Sequence, residues 1–288
     1  MRKVAFLSMD YMEGFYSYDD LLIEPFKIIG WEVETISWKA KNICWKDYEV
    51  VIVRSTWDYQ NSPKEFLKVL EEINSQTRLE NNYNILKWNM DKTYLRDLEE
   101  KGIKIVPSIW REKFNENEYL TFFEELNTNE IIIKPTVSAN ADSTFRLEID
   151  NVNSTMSILK STFQSRSFMV QPFMKSVITE GEYSLFYFGG EYSHTILKLP
   201  KENDFRVQEE HGGVIRPILP EALMKTKAEK ILEVIETDLL YARIDLVKTD
   251  ENDFALMELE LIEPSLYFNM DSGSAERFAK VFDKWMTS

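Results

Sequence analysis

Four charged residues near the end of the chain, Arg243, Asp245, Glu258 and Glu260, have the types and spacing to manage a divalent cation. They fall in the stretch Leu239–Pro264, LLYARIDLVKTDENDFALMELELIEP, where two apolar runs flank a polar, turn-like KTDEND. That pattern predicts a β-hairpin. Side chains alternate faces along a strand, so Arg243 and Asp245 share one face of the first strand, and Leu256, Glu258 and Glu260 one face of the second. A turn closed by Val247 opposite Phe254 sets Arg243 against Glu258, with Asp245 one diagonal step away. The ordinary outcome for such a pattern is an exposed hairpin with a solvated acidic side. Two features oppose it. Like charges on neighbouring strands repel, and Arg243 neutralises only one of the three carboxylates. The strands are also nearly continuous in apolar residues, which suggests a central place in a sheet. Mg2+ is an economical compensator, because hard carboxylate oxygens with room for water and phosphate oxygens suit it. A nucleotide site is then expected elsewhere in the chain.

The elements that must position these residues are legible from the N-terminus onward. Val4–Ser8, Trp31–Trp38 and Tyr48–Val53 read as strands, and a helical stretch over Asp20–Ile29 ends at Gly30 and is kinked or restarted by Pro25. Ser62-Pro63-Lys64-Glu65 reads as a helix start with Ser as cap, Pro at the first position and Glu closing a capping box. Strands alternating with helices imply a small parallel α/β unit over roughly the first 85 residues. RSTWDY, Arg54–Tyr59, falls where one of these strands ends, the place where open α/β sheets bind ligands. Arg54 there either holds a substrate carboxylate or pairs with Asp58. Asp91 is placed to cap a helix running to Lys101 and stopped by Gly102. Strand Ile103–Val106 and helix Glu116–Leu126 follow, and then EIIIKPTV, Glu130–Val137, sets Lys134 in an apolar strand. A buried ammonium is costly unless it meets an anion; the alternative is that it snorkels outward. Phe168–Met174 is a further strand. Gly181–Leu199 is a hairpin around a Gly189-Gly190 turn, Asp204–Gly213 a loop with Arg206 and His211, and Pro220–Thr237 and Ser274–Thr287 are amphipathic helices.

Bulk properties narrow the classes. The 288 residues carry 34 basic against 49 acidic side chains, a net charge of −15, which argues against general nucleic-acid or anionic-membrane binding. A single cysteine, Cys44, excludes an internal disulfide framework and a cysteine-based zinc cluster. The N-terminal apolar run is too short for a signal peptide, and no run approaches the ~20 apolar residues of a membrane span. A cytoplasmic protein is expected. There is no GxxxxGK[ST] loop and no GxGxxG after the first strand.

Taken in order, RSTWDY, WNMDK, QPFM, GEYSLFYFGGEYSHTILK, DFRVQ with its following Gly pair, and YARIDLV with MELELIEP resemble the ATP-grasp superfamily. The pattern is similar to its glutathione synthetase and ribosomal-protein S6 glutamate ligase branch, and closer to the O-ureido-D-serine cyclo-ligase-like group. The resemblance implies an α/β (α+β) ATP-grasp fold. Residues 1–88 would form a Rossmann-like pre-ATP-grasp domain, 89–170 a central and lid subdomain, and 171–288 an antiparallel-sheet subdomain with the metal site. It also implies that Lys92 and Lys134 contact ATP phosphates, Lys134 lying near the adenine as well. Gln171, Phe173 and Met174 would line the base, and either Glu180 or Glu182 would lie near the ribose. Arg206 would stabilise the transferring phosphoryl group, and Asp245, Glu258 and Glu260 would hold Mg2+, with Mn2+ as a substitute. Many relatives carry Asn where Glu260 stands. The phosphate-covering loop, Val137–Thr144, lacks the usual glycines, leaving Asn140 to tolerate unusual backbone angles. Arg146 points inward from that lid or lies on the surface, and His194 and His211 read as polar packing and loop orientation.

The expected activity is an ATP- and Mg-dependent carboxylate–amine ligase working through an acyl phosphate, which is mostly a matter of positioning and charge neutralisation. The alternatives are an ATP-grasp kinase and a non-catalytic ATP-binding regulatory module. Arg54, Ser55, Thr56, Trp57 and Asp58, with Arg243, suggest a small zwitterionic or carboxylate ligand between the two ends of the chain. The expected partners are thus a small-molecule carboxylate and amine, with no nucleic acid and no membrane; the resemblance also allows a homodimer.

Overall fold

The computed structural model describes residues 1–151 and 154–287. Strands β1 (Arg2–Ser8), β2 (Trp31–Ser37), β3 (Val50–Ser55) and β4 (Arg78–Glu80) form a parallel sheet in the order β2-β1-β3-β4. Val4–Leu7 and Val50–Val53 are buried on both faces, as central parallel strands require. The stretch expected as one helix over Asp20–Ile29 splits into a 3-10 turn, Asp19–Leu22, and a helix, Ile23–Ile28. Pro25 thereby falls in a first helical turn, where its missing N–H is not needed. Helix Pro63–Gln76 begins as expected, but the Ser62 side chain makes no capping bond; its carbonyl accepts from the Glu65 and Phe66 amides instead.

A second, antiparallel sheet has the order β5-β8-β6-β7, from β5 (Ile109–Arg111), β6 (Glu130–Pro135), β7 (Phe145–Glu148) and β8 (Phe168–Pro172). The strand expected over Ile103–Val106 reduces to a single bridge from Ile105 to Leu256, because Pro107 interrupts further pairing. The helix expected from Asp91 starts later, at Tyr94–Glu100, with the Thr93 amide donating to Asp91 Oδ1.

The third sheet is antiparallel and ordered β11-β10-β9-β12-β13, built from β9 (Glu182–Phe188), β10 (Glu191–Leu199), β11 (Val214–Pro217), β12 (Tyr241–Lys248) and β13 (Phe254–Glu260). Gly189 and Gly190 both have positive φ, +56° and +80°, as a two-residue hairpin turn matched to strand twist demands. One face of this sheet packs on helices Tyr94–Glu100 and Ala222–Glu233. The other changes character along its length. Phe186, Phe188 and Tyr241 at one end pack against helix Ser274–Trp285 and the first sheet. Two-residue steps along the same strands place Glu182, Ser184, Arg243 and Asp245 at the other end.

The hairpin expected at Leu239–Pro264 forms, in a different register. Lys248, not Val247, pairs with Phe254, because the turn is one residue tighter: the Thr249 amide donates to the Asp253 carbonyl, and Asn252 takes φ +55°. Between Leu246↔Leu256 and Asp245↔Glu258 the ladder then skips Met257, a β-bulge. Two expectations change. Arg243 stands opposite Glu260 and Asp245 opposite Glu258, and Leu256 turns to the core face, away from Glu258. Only β12 is central; β13 is the sheet edge. Its exposed backbone is met by side chains, since Asn89 donates to Leu259 O at 2.9 Å and accepts from Leu261 N at 2.8 Å, while Leu259 N donates to the Tyr94 hydroxyl at 2.9 Å. No described helix is long and apolar enough to cross a membrane.

Candidate active site

A cleft open to solvent, spanning about 1430 Å³ with the solvent at its mouth included, lies where the charged end of the third sheet faces the second sheet and the end of the first. From the hairpin come Arg243, Glu258 and Glu260; from β6, Lys134; from the segment before helix Tyr94–Glu100, Lys92. Lys92 Nζ lies 2.6 Å from Glu258 Oε1 and donates to the Ser138 carbonyl at 3.0 Å, tying the hairpin to the lid loop. Burial alone would lower the Lys92 pKa, but Glu258 outweighs it and raises it. Burial works to raise Glu258, and Lys92 with Lys134 holds it below the usual range.

Lys134 lines the cleft, so its ammonium faces the acids across it and does not snorkel away. Among the described residues it has no carboxylate within 4.0 Å, and burial, then the neighbouring Lys92, lowers its pKa. Asp245 sits deeper, on the same face as Glu258. It accepts from Ser184 Oγ at 2.5 Å, from Arg243 Nη2 at 3.0 Å and from Lys198 Nζ at 3.3 Å. Burial opposes its ionisation, yet Arg243 and Lys198 keep it below the usual carboxylate range. Glu260 is paired with Arg243, and burial still pushes it up to about 7. Among the described residues no three His, Cys, Asp or Glu side chains converge tightly enough to hold a metal ion by themselves. As they stand, the three acids are neutralised by Lys92, Lys198 and Arg243.

At the other end, Gln171, Phe173 and Met174 line an apolar wall with Val177 and Met257. Gln171 Nε2 donates to Ser108 Oγ at 2.9 Å, which fixes the amide. Arg146 lies 3.9 Å from the Phe173 ring centroid and pairs with Glu130 at 2.5 Å, so it braces this wall. Of the two acids left open, Glu182 lines the cleft and pairs with Lys198 at 2.5 Å. Glu180 instead pairs with Lys248 at 3.0 Å, off the cleft wall. Arg206 faces the cleft and is held by Asp204 at 2.8 Å. Asn140, Ala141 and Ser143 of the lid loop all take positive φ, and His211 Nε2 lies 3.4 Å from the Asn140 carbonyl. His194 is buried against Phe186 with rings 4.3 Å apart, and burial lowers its pKa to about 4.

The RSTWDY segment is placed differently from expectation. Arg54 Nη2 donates to Asp19 Oδ1 at 2.7 Å and to the Pro264 carbonyl at 3.2 Å, while Asp58 is taken by Trp38 Nε1 at 2.6 Å and by Lys39. The Arg54–Asp58 pair does not form. Arg54, Ser55, Thr56 and Asp58 lie off the cleft wall, because the turn in which the Asp58 and Tyr59 amides donate to the Thr56 carbonyl presents Trp57 and Tyr59 there instead. Two residues escaped the sequence reading. Lys198 carries the signal that singled out Lys134, a lysine in an apolar strand. Glu263, in LIEP, lines the cleft and is pushed by burial, and then by Glu260, up to about 8.

Comparison with known proteins identifies the fold that carries this cleft. Residues 113–272 match the ATP-grasp domain of prokaryotic glutathione synthetase, and residues 4–81 match the N-terminal domain of D-cycloserine synthetase DcsG. The cycloserine biosynthesis protein DcsG of Streptomyces lavendulae is 27% identical over 280 residues, covering 90% of each chain. The crystal structure of D-cycloserine synthetase DcsG superposes with a TM-score of 0.86 at 24% identity, over 99% of both chains. A RiPP-associated ATP-grasp ligase of Chryseobacterium gregarium, in complex with ADP and a leader and core peptide, does so with a TM-score of 0.69 at 12% identity, over 100% of this chain and 97% of that one.

Proposed function

Because the chain belongs to the prokaryotic glutathione synthetase family of ATP-grasp ligases, we propose that it joins a carboxylate to an amine on a small amino-acid-like substrate. In this reading the chain divides into residues 1–88, 89–170 and 171–288, with β8 of the second sheet crossing the last division. The observation that carries it is the opposition across one cleft of Lys134, a cation without a carboxylate partner, and the hairpin acids Glu258 and Glu260. An enclosed, uncompensated ammonium calls for an anionic ligand.

The residues fit Mg·ATP. Phe173, Met174 and Gln171 would take the base, Glu182 the ribose, and Lys92 and Lys134 the phosphates. Glu258 and Glu260 would hold Mg2+ from the cleft wall, with Asp245, cross-strand from Glu258, as the third acid of the set; Mg2+ commonly takes one or two carboxylates and completes its shell with phosphate and water. When bound, the nucleotide supplies the phosphoryl group that activates a substrate carboxylate as an acyl phosphate. Arg206, fixed by Asp204, would neutralise charge developing on that group. Lys198 favours the ionised form of Asp245 and holds Glu182 in place. The Asn140–Ser143 backbone and the His211 loop would exclude water from above.

The test is ADP release by purified protein with Mg·ATP against a library of amino acids and small carboxylates, with hydroxylamine present to trap the acyl phosphate as a hydroxamate. Glu258→Gln should lower turnover by about 100-fold or more, the scale of losing one charge-stabilising group. Unchanged turnover in Glu258→Gln, or failure to bind Mg·ATP, would end this reading.

A further inference from the structure

The acids that line the cleft are not alike in their partners. Glu182 is matched by Lys198, Glu258 by Lys92 and Glu260 by Arg243. Glu263 is 9% exposed, faces the same cleft, and among the described residues has no Lys, Arg or His nitrogen within 4.0 Å. The Tyr59 hydroxyl lies near enough to favour its ionised form, against the larger effect of burial. Its backbone is pinned, since Trp57 Nε1 donates to the Glu263 carbonyl at 2.7 Å and Arg54 Nη2 to the next carbonyl, Pro264, at 3.2 Å. These contacts fix the position of the Glu263 backbone, so the carboxylate reaches only what its own side chain can span.

A buried carboxylate with no counter-ion is costly. At the wall of a ligand cleft, the natural remedy is a cation on the ligand. The surroundings agree with an amine in particular. Trp57, Tyr59 and Tyr267 are all buried cleft-lining aromatics close to Glu263 in the chain or in the fold, and aromatic faces together with one acid recognise ammonium groups. Lys134 is the opposite case, a cation without an acid. Lys134 and Glu263 are thus two ionisable groups of opposite sign on the cleft wall without a salt-bridge partner, and the proposed ligands carry both signs.

We propose that Glu263, backed by Tyr59 and flanked by Trp57 and Tyr267, seats the ammonium group of the substrate, and so selects amino-acid-like compounds over simple carboxylic acids. This rests on the ligase reading above and names the substrate feature that the site recognises.

The experiment uses the full chain with Mg·ATP and reads ADP release against α-amino acids, each paired with its des-amino counterpart. Compounds that stimulate turnover should carry a primary amine. Glu263→Gln should raise KM for them by about 30-fold or more, the scale of truncating one partner of a desolvated charge pair, with KM for ATP nearly unchanged. Glu263→Asp should recover part of the loss, and Tyr59→Phe should give a smaller loss in the same parameter. A stimulating compound without an amine, an unchanged KM in Glu263→Gln, or equal damage to ATP binding and melting temperature would overturn the proposal. So would a wild-type protein that binds Mg·ATP but is stimulated by no amine. Failure of the wild type to bind Mg·ATP at all would instead remove the ligase reading on which the proposal stands.

Discussion

Lys134 and Lys198 are both lysines set in apolar strands, and their neighbours give them opposite effects on stability. Lys198 lies between Glu182 at 2.5 Å and Asp245 at 3.3 Å, and its pKa is raised because those two acids outweigh burial. Removing it leaves buried Glu182 without a counter-ion and takes one of two cations from Asp245, so Lys198→Met should destabilise the fold by about 3–5 kcal/mol. Lys134 has no such acid, and its pKa is lowered by burial. Lys134→Met removes a charge that the folded chain holds at a cost, so melting temperature should stay or rise while ATP affinity falls by about tenfold or more. Denaturant unfolding and nucleotide titration of the two variants check both halves. A Lys134→Met protein that unfolds as readily as Lys198→Met would show that Lys134 is structural.

At the scale of elements, the hairpin depends on residues far from it in sequence. β13 is an edge strand, and an open edge invites pairing with other chains. Asn89 covers it by bridging Leu259 O and Leu261 N, as a neighbouring strand would. Asn89→Leu should cost about 2–4 kcal/mol, because two buried backbone groups each lose a partner; urea unfolding measures it, and a loss below 1 kcal/mol would mean water replaces the amide. Much of this region was legible in the sequence. Period-two alternation gave the hairpin, and the Gly189-Gly190 pair gave its neighbour. The register was not legible. A bulge at Met257 reflects how the strand fits both its partner and the cleft, and neither is written in local alternation. Reading the face of each acid from alternation alone therefore put Arg243 opposite the wrong glutamate. RSTWDY failed in a related way. The motif was noticed, but a tight turn after β3 decides which side chains reach the cleft, and it presents Trp57 and Tyr59 in place of Arg54 and Asp58.

Across the whole molecule, the cleft is closed by loops from all three parts of the chain. The Tyr18 hydroxyl donates to Glu209 at 2.9 Å, and His211 of the same loop meets the Asn140 carbonyl of the lid. Arg206 stands four residues before Glu210, and Asn140 and Glu210 both line the cleft. A ligand held by Lys134, Arg206 and the lid therefore tightens segments 14–18, 138–144 and 204–213 together. Ligand that binds only the folded chain stabilises it by mass action, so a nonhydrolysable Mg·ATP analogue at 100 times its Kd should add about 2.7 kcal/mol. For a chain of this length that corresponds to a rise in melting temperature of about 4–5 °C. Hydrogen exchange should slow in the same three segments, including 14–18, which the phosphate-binding residues do not touch. Protection limited to 138–144 would show that the lid moves alone. Protection of all three in wild type but not in a His211→Ala, Tyr18→Phe double variant, at equal ligand occupancy, would identify these two contacts as what couples the lid to the first sheet.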